Sequence, residues 1–300
     1  MSVDISDLSK LSEIYKENGF VLVKNVFSDA EVDEMRAEIG KIVGELDPSQ
    51  HPKSIFDTYD EQRHASDSYF LESASKISFF YEDGAVDKEG NLTVPKDRAL
   101  NKIGHALHWL NPVYKKYSFD KRICAIVDSL GFLNPHIVQS MYIFKQPKIG
   151  GAVTDHIDAT FLQSDPPENL FGIWIAVDEA SQENGCLWFI PGSHKGPHPG
   201  YRFVRTFATD PNEKLLVFEG TKPTYDQSKF VPVPVPKGSL VLINGLVAHK
   251  SEPNTSNLSR HAYTLHVAEM EEGKQWNKRN WLQETADYKF PALFSTRSFQ

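Results

Sequence analysis

The sequence predicts a mainly β fold, a sandwich or jelly roll with helices gathered ahead of it. Three observations lead there. From about His136 onward, short runs rich in β-branched and aromatic residues recur. Turn signals separate those runs, with no room for the crossover helices of a parallel sheet. Helical periodicity is confined to the first part of the 300-residue chain.

Taken in order, Leu8, Leu11 and Ile14 recur at helical spacing and Asn18-Gly19 supplies a stop. "FVLVKNVF" at 20–27 reads as a strand. Ser28-Asp29-Ala30-Glu31 is a capping box, opening a helix to about Leu46 with Val32, Met35, Ile39 and Val43 inward. Residues 47–68 are polar and irregular, and 75–97 carries turns between short extended pieces. "INKIGHALHWL" can be read as helical, which would set His105 and His108 one turn apart; packing or capping accounts for such a pair more simply than a second metal does.

The strands expected beyond are 136–147, 171–180, 186–194, 238–251 and 260–269. Asn184-Gly185, between the second and third, is the strongest short hairpin signal. "FVPVPVPKG" at 230–238 must be an edge strand or a non-strand extended piece, since proline cannot donate to a ladder. A long polar stretch from Lys195 to Lys229 reads as a lid, a binding loop or a disordered segment. No repeat or linker divides the chain. We expect one domain over 1–300, with a helical and mixed flank at 1–135, a jelly-roll core at 136–270 and an extension at 271–300.

Composition narrows the function. A net charge of −8 leaves no electrostatic footprint for nucleic acid or an anionic membrane. Cys124 and Cys186 are isolated, which fits a reducing compartment. No apolar run reaches the ~18 residues of a membrane span. With no secretory signal and no peroxisomal C-terminal tripeptide in view, a cytoplasmic location is expected. Oligomeric state has no signature.

The chemistry concentrates in "TDHIDATF" at 154–161. Residues i and i+2 of a strand share a face, so His156 and Asp158 would project together, their Cβ atoms roughly 6.5–7 Å apart. That separation suits two ligands on one divalent ion with bonds of about 2.0–2.2 Å. Gly150-Gly151 upstream would let the backbone enter with unusual dihedrals. Among the other histidines, His51 and His64 lie in the early polar loop, His198 between prolines, and His194 after a turn. His249, closing an apolar strand, is the third ligand of choice. Two neutral imidazoles and one carboxylate, with open positions left, are the signature of non-heme Fe(II) oxygenases. Arg260, eleven residues on, would anchor a dicarboxylate cosubstrate, and Ser251 could add a hydroxyl hydrogen bond.

"QSMYIFKQP", "HIDATF", "WIAVDEASQENGCLWFIPGSHK" and "VLINGLVAHKSEPN" together resemble the phytanoyl-CoA dioxygenase family across nearly the whole chain, the loop after "SHK" least. The resemblance implies a double-stranded β-helix, a cupin-like jelly roll, that uses Fe(II), 2-oxoglutarate and O₂. It implies His156, Asp158 and His249 as iron ligands, and Arg260 with Ser251 on the distal carboxylate of 2-oxoglutarate. Lys102, Met141 and Trp174 are implied as further cosubstrate contacts, through "NKIGHALH", "QSMYIF" and "GIWIAV". The carboxylate at 158 argues against the family's halogenases, in which a small residue there frees a place for chloride. The expected partner is a small-molecule substrate, a CoA thioester or another metabolite. Two alternatives stay open: a zinc-binding jelly-roll hydrolase, and a protein that binds iron and 2-oxoglutarate without turnover.

Overall fold

The computed structural model describes residues 1–56, 67–208 and 213–294, so His64 lies outside the described residues. The strands are β1 (Ser2–Asp4), β2 (Phe20–Lys24), β3 (Ile77–Tyr81), β4 (Leu100–His105), β5 (Pro135–Ile143), β6 (Val153–His156), β7 (Ser164–Asp165), β8 (Leu170–Ala176), β9 (Leu187–Phe189), β10 (Arg202–Arg205), β11 (Leu216–Glu219), β12 (Val231–Val233), β13 (Leu240–Asn244), β14 (His249–Ser251), β15 (Ala262–Glu269) and β16 (Gln275–Trp276). The helices are α1 (Leu11–Asn18), α2 (Asp29–Glu45), α3 (Ser68–Glu72), α4 (Lys96–Ala99), α5 (Leu107–Leu110), α6 (Pro112–Ser118) and α7 (Lys121–Asp128).

Eight strands form one sheet in the order β1-β2-β13-β8-β15-β5-β4-β3, and four form a second, β12-β9-β14-β6. Alternation along the large sheet decides what each face meets. Val21, Val23, Ile173, Ile175, Leu240 and Leu242 face outward and are sealed by Val32, Met35, Ile39 and Val43 of α2 and by Ile123, Ile126 and Val127 of α7. On the inner face Phe20, Trp174, Ala176 and Val241 pack against Leu187, Phe189 and Val233 of the small sheet. Phe20 stacks on Phe189 with ring centroids 4.2 Å apart. At about 1.5–3 kcal/mol for each such side chain, burial on both faces holds the layers together. The fold is the expected jelly roll with helices on its outer face.

The opening elements form as predicted. Gly19 ends α1 at φ 82° and its N–H closes onto the Tyr15 carbonyl at 2.8 Å. Ahead of α2, the Glu31 carboxylate accepts from the Ser28 backbone N–H at 2.8 Å and from the Ser28 hydroxyl at 3.0 Å. The valine–proline segment contributes β12, an edge strand of the small sheet. Both cysteines are free. Among the described residues no helix is long and apolar enough to cross a membrane.

Three local expectations are corrected. Asn184-Gly185 makes no hairpin: β8 lies in the large sheet and β9 in the small one. Both edges of β8 are already taken by β13 and β15, so β9 has no edge to join. The turn instead carries the chain between layers, with the Asn184 side chain accepting from Ser181 N–H at 2.7 Å and donating to the Glu179 carbonyl at 2.8 Å. The run at 238–251 is two strands in two sheets. It breaks after Asn244, whose side chain accepts from Leu246 N–H at 2.9 Å, and a Cβ at Gly245 would meet the Leu170 carbonyl at 2.8 Å. Finally, "NKIGHALH" runs through strand β4 into α5 rather than along one helix. His105 pairs with the Ser73 hydroxyl at 2.8 Å, while His108 lies between the hydroxyls of Ser140 (2.9 Å) and Tyr288 (2.8 Å), so the packing reading of this pair holds.

Burial pushes the imidazoles of His108 and His261 down to about 3. The unfolded chain would protonate both near pH 6.5, whereas the folded chain refuses the protons until about pH 3. Stability therefore falls with pH across that window, by up to about 1.4 kcal/mol per pH unit for each histidine. Urea titrations at pH 7, 6 and 5 should show this decline; equal unfolding free energies at all three would contradict it.

Candidate metal centre

His156 is the last residue of β6 and His249 the first of β14, and the two stand directly opposite each other in the antiparallel ladder. Their rings are 4.2 Å apart between centroids. Asp158 does not continue the strand as expected. It opens a 3₁₀ turn, Asp158–Thr160, where its carbonyl accepts from Phe161 and Leu162 N–H at 2.9 and 3.0 Å. Ile157, extended and buried between the two polar residues, anchors the bend in the core.

Each imidazole is oriented by its own backbone. His156 Nδ1 lies 2.7 Å from the Thr154 carbonyl and His249 Nδ1 3.0 Å from that of Val247. A carbonyl only accepts, so Nδ1 carries the proton and Nε2 presents a bare lone pair. Both Nε2 atoms are 3.6 Å from Asp158 Oδ1. Two metal bonds of about 2.1 Å span up to ~4.2 Å, so the three donors fit one divalent ion with little movement. All three ligand atoms lie within 4.8 Å of one another.

Burial pushes the His249 imidazole down to about 4, with His156 beside it acting the same way, so His249 is neutral at neutral pH. For Asp158, burial works to raise the carboxyl, but the imidazole groups packed on it, the hydrogen-bonding His266 among them, outweigh burial and hold it well below the usual range. His266 Nε2 is 3.3 Å from Asp158 Oδ2, and its Nδ1 accepts from the Gln139 amide at 2.9 Å. Gln139 thereby leaves the imidazole proton on Nε2, aimed at the carboxylate. Sequence reasoning missed both residues. A signal existed: Ala262, Thr264 and His266 follow Arg260 in steps of two on β15, the period of one strand face.

Rows of side chains cross the inner face of the large sheet. Gly172, His266 and Gln139 are in register, and so are Trp174, Thr264 and Met141, then Ala176, Ala262, Ile143 and Lys102. The first row touches Asp158. Gly172 is glycine because a Cβ there would stand 3.3 Å from Asp158 Oδ2 and 3.6 Å from Ile243 Cβ.

Arg260 is 2% exposed, and its Nε and Nη1 have no hydrogen-bond partner among the described residues. Its guanidinium carbon is 5.2 Å from the Trp174 ring centroid. Burial pushes it down to about 10, which still leaves it charged at neutral pH. A buried charge is costly unless it is paired, and among the described residues no hydrogen bond reaches Nε or Nη1, so the guanidinium suits an anion in the cavity. Lys102 Nζ sits 3.2 Å from the Phe56 ring centroid and 5.3 Å from that of Phe80, with burial pushing its ammonium well below the usual range. Ser251 Oγ accepts from Lys145 Nζ at 2.8 Å, a lysine sequence reasoning did not single out.

All eight side chains named from the sequence (Lys102, Met141, His156, Asp158, Trp174, His249, Ser251 and Arg260) line one cavity of about 310 Å³. His51, His194 and His198 are not part of it. Gly150-Gly151 do not enter with unusual dihedrals, for neither has positive φ. Gly150 serves close approach instead: a Cβ there would lie 2.8 Å from Lys145.

The chain matches the phytanoyl-CoA dioxygenase (PhyH) family over residues 15–262. It is 62% identical to the phytanoyl-CoA dioxygenase domain-containing protein 1 homolog of Caenorhabditis elegans, over 95% of this chain and 98% of that protein. With phytanoyl-CoA dioxygenase domain-containing protein 1 of Bos taurus it shares 45% identity, over 94% and 96% of the two chains. Among solved structures, the non-heme alpha ketoglutarate dependent epimerase SnoN from nogalamycin biosynthesis superposes with a TM-score of 0.62 at 17% identity, covering 96% of this chain and 98% of the other. SnoN has also been solved in complex with Fe³⁺, alpha ketoglutarate (2-oxoglutarate) and nogalamycin RO.

The space at Gly172 yields a sharp expectation. Gly172→Ala should displace the Asp158 carboxylate and weaken divalent-metal uptake by roughly 10–100-fold, the scale on which groups supporting a metal ligand act. Co(II) titration followed in the visible checks it; unaltered affinity would mean that the carboxylate does not hold the ion.

Proposed function

The chain belongs to the phytanoyl-CoA dioxygenase family, and we propose that it is an Fe(II)- and 2-oxoglutarate-dependent dioxygenase that hydroxylates a small molecule. The overall reaction is 2-oxoglutarate + O₂ + R–H → succinate + CO₂ + R–OH. The observation that carries this reading is the unpaired, buried Arg260 guanidinium in the same cavity as the His156–Asp158–His249 group. A zinc hydrolase would explain the histidines and leave that cation without purpose.

His156, Asp158 and His249 would hold the metal on one face, leaving the opposite positions for the cosubstrate and O₂. Bound iron, with 2-oxoglutarate and O₂, supplies the oxidising power for C–H hydroxylation. The chain's own groups bind and orient. His266 would steady the Asp158 carboxylate through its Nε2–H. Arg260 would take the distal carboxylate of 2-oxoglutarate, with the Ser251 hydroxyl donating a further hydrogen bond. Trp174 and Met141, in one row across the sheet, line the same cavity and would shield the bound cosubstrate from water. Lys102, held among phenylalanines, would offer its Nζ to the cosubstrate from the same cavity wall. The apolar walls at Phe161, Leu162 and Trp281 are where the part of the substrate to be hydroxylated would rest.

Anaerobic addition of Fe(II) and 2-oxoglutarate should give the weak visible charge-transfer band of a chelated complex, and air should then release succinate and CO₂. His156→Ala, Asp158→Ala and His249→Ala should each abolish decarboxylation. Arg260→Ala should raise the KM for 2-oxoglutarate by about 10–100-fold, the loss of a charge-assisted hydrogen bond to an anion. Normal turnover in any of the three ligand variants would end this reading.

A further inference from the structure

Lys145 follows β5 and is 3% exposed. Its Nζ lies 2.9 Å from the Gly151 carbonyl, 2.6 Å from that of Glu252 and 2.8 Å from Ser251 Oγ. Those are three oxygen acceptors, one for each N–H of an ammonium, which cannot itself accept. The third contact therefore occupies an oxygen lone pair of Ser251 and leaves the Ser251 hydrogen to point elsewhere. No acceptor for it is present among the described residues, and Ser251 faces the cavity. The backbone of the same lysine acts on the other member of the pair: its carbonyl accepts from Arg260 N–H at 3.2 Å and from the Asn254 side chain at 3.0 Å.

The fold gives up two side chains to make room for this lysine. A Cβ at Gly150 would come 2.8 Å from Lys145 Cγ, and one at Gly185 2.8 Å from its Cδ. Lys145 thus ties the end of β5 to the loop before β6 and to the end of β14 through its ammonium, with the turn before β9 packed on its aliphatic stem.

We propose that Lys145 is a positioning residue for a carboxylate ligand: its side chain forces the Ser251 hydroxyl to donate into the cavity while its carbonyl holds the backbone of Arg260, so that both aim at one anion. This rests on the reading of the cavity as a 2-oxoglutarate site. It adds that the affinity for the distal carboxylate is set by a residue that does not touch it.

A double-mutant cycle with Lys145→Met, Ser251→Ala and the pair tests this, reading the Kd of 2-oxoglutarate on Co(II)-loaded protein by calorimetry. Lys145→Met should weaken binding by about tenfold or more, as expected when a hydrogen bond to a charged group is lost. In the Ser251→Ala background the same substitution should cost less than about threefold. Binding of 2-oxobutyrate, which has the keto-acid end but no distal carboxylate, should be equal in wild type and Lys145→Met. Unchanged Co(II) affinity in Lys145→Met shows that the fold and the histidine site persist. If the two substitutions act independently, or 2-oxobutyrate loses affinity in parallel, Lys145 is a structural staple and the proposal is overturned. If Lys145→Met binds 2-oxoglutarate as well as wild type or better, Nζ is an amine that accepts from Ser251, and the proposal is again overturned. A wild-type protein that takes up Co(II) but no 2-oxoglutarate removes the cosubstrate reading itself.

Discussion

The ladder that sets His156 opposite His249 is the interaction on which the candidate site depends. Because strand side chains alternate, a slip of one residue in that pair would send one imidazole to the far face. The strands are too short to secure the register by themselves, four residues in β6 and three in β14. Packing secures it instead. β14 is flanked on its other edge by β9, with His249 opposite Phe189, and Phe189 is stacked on Phe20 of the large sheet. Just ahead of the strand, Ala248 N–H donates to the Ser193 hydroxyl at 2.9 Å. On the β6 side, buried Ile157 fixes the point at which strand becomes turn. The alignment of two polar side chains is thus a by-product of apolar contacts on either side of them.

The electrostatics follow from where those groups are buried. Asp158 and Arg260 line the same cavity, yet they form no ion pair with each other. Each has been taken out of water separately, and a buried charge is tolerated only when something compensates it. For Asp158 the compensation is the Nε2–H of His266 beside Oδ2, while the bare Nε2 atoms of His156 and His249 beside Oδ1 wait for a cation. Arg260 has the Trp174 ring, and among the described residues no carboxylate hydrogen-bonds its Nε or Nη1. The asymmetry gives the cavity a direction. One end is a satisfied anion with bare nitrogen lone pairs next to it, which suits a cation. The other is an unsatisfied cation, which suits an anion. A ligand that bridges the two needs a metal-binding end and a carboxylate end.

Much of this was legible. Richness in β-branched and aromatic residues along "FGIWIAV" and "RHAYTLHVAE" placed the core strands, and the His-x-Asp triplet, a distant strand-end histidine and a following arginine named residues that converge on one cavity. Most of what failed did so because the deciding contact was distant in sequence. Asn184-Gly185 turns as its chemistry dictates, but whether the flanking strands pair depends on the edges of β8, filled by β13 and β15. The run 238–251 does carry a local mark, Asn244-Gly245, which its apolar flanks masked; the Asn244 side chain turns the chain there and the approach of Leu170 to Gly245 completes the break. "NKIGHALH" has the spacing of a helix, and pairing with β3 and β5 makes its first part a strand. Lys145 was invisible because lysine is mostly a surface residue, and nothing in "FKQP" shows that two glycines and two carbonyls gather around it.

The division of labour between the sheets explains why the supporting residues were harder to find than the candidate ligands. The small sheet and its adjoining turn supply His156, Asp158 and His249, whose spacing is local apart from one strand return. The large sheet supplies what orients Asp158: His266 and Gln139 from adjacent strands, and the bare backbone of Gly172. The two imidazoles are oriented by carbonyls of their own strands, but the side chains that steady Asp158 reach it from the opposite layer. The sequence position of such a side chain is then fixed by how the two layers stack, not by its distance along the chain from the residue it serves. Fixed in that way, a supporting histidine or lysine can sit anywhere in the chain, and only its phase along its own strand, inward or outward, remains readable beforehand.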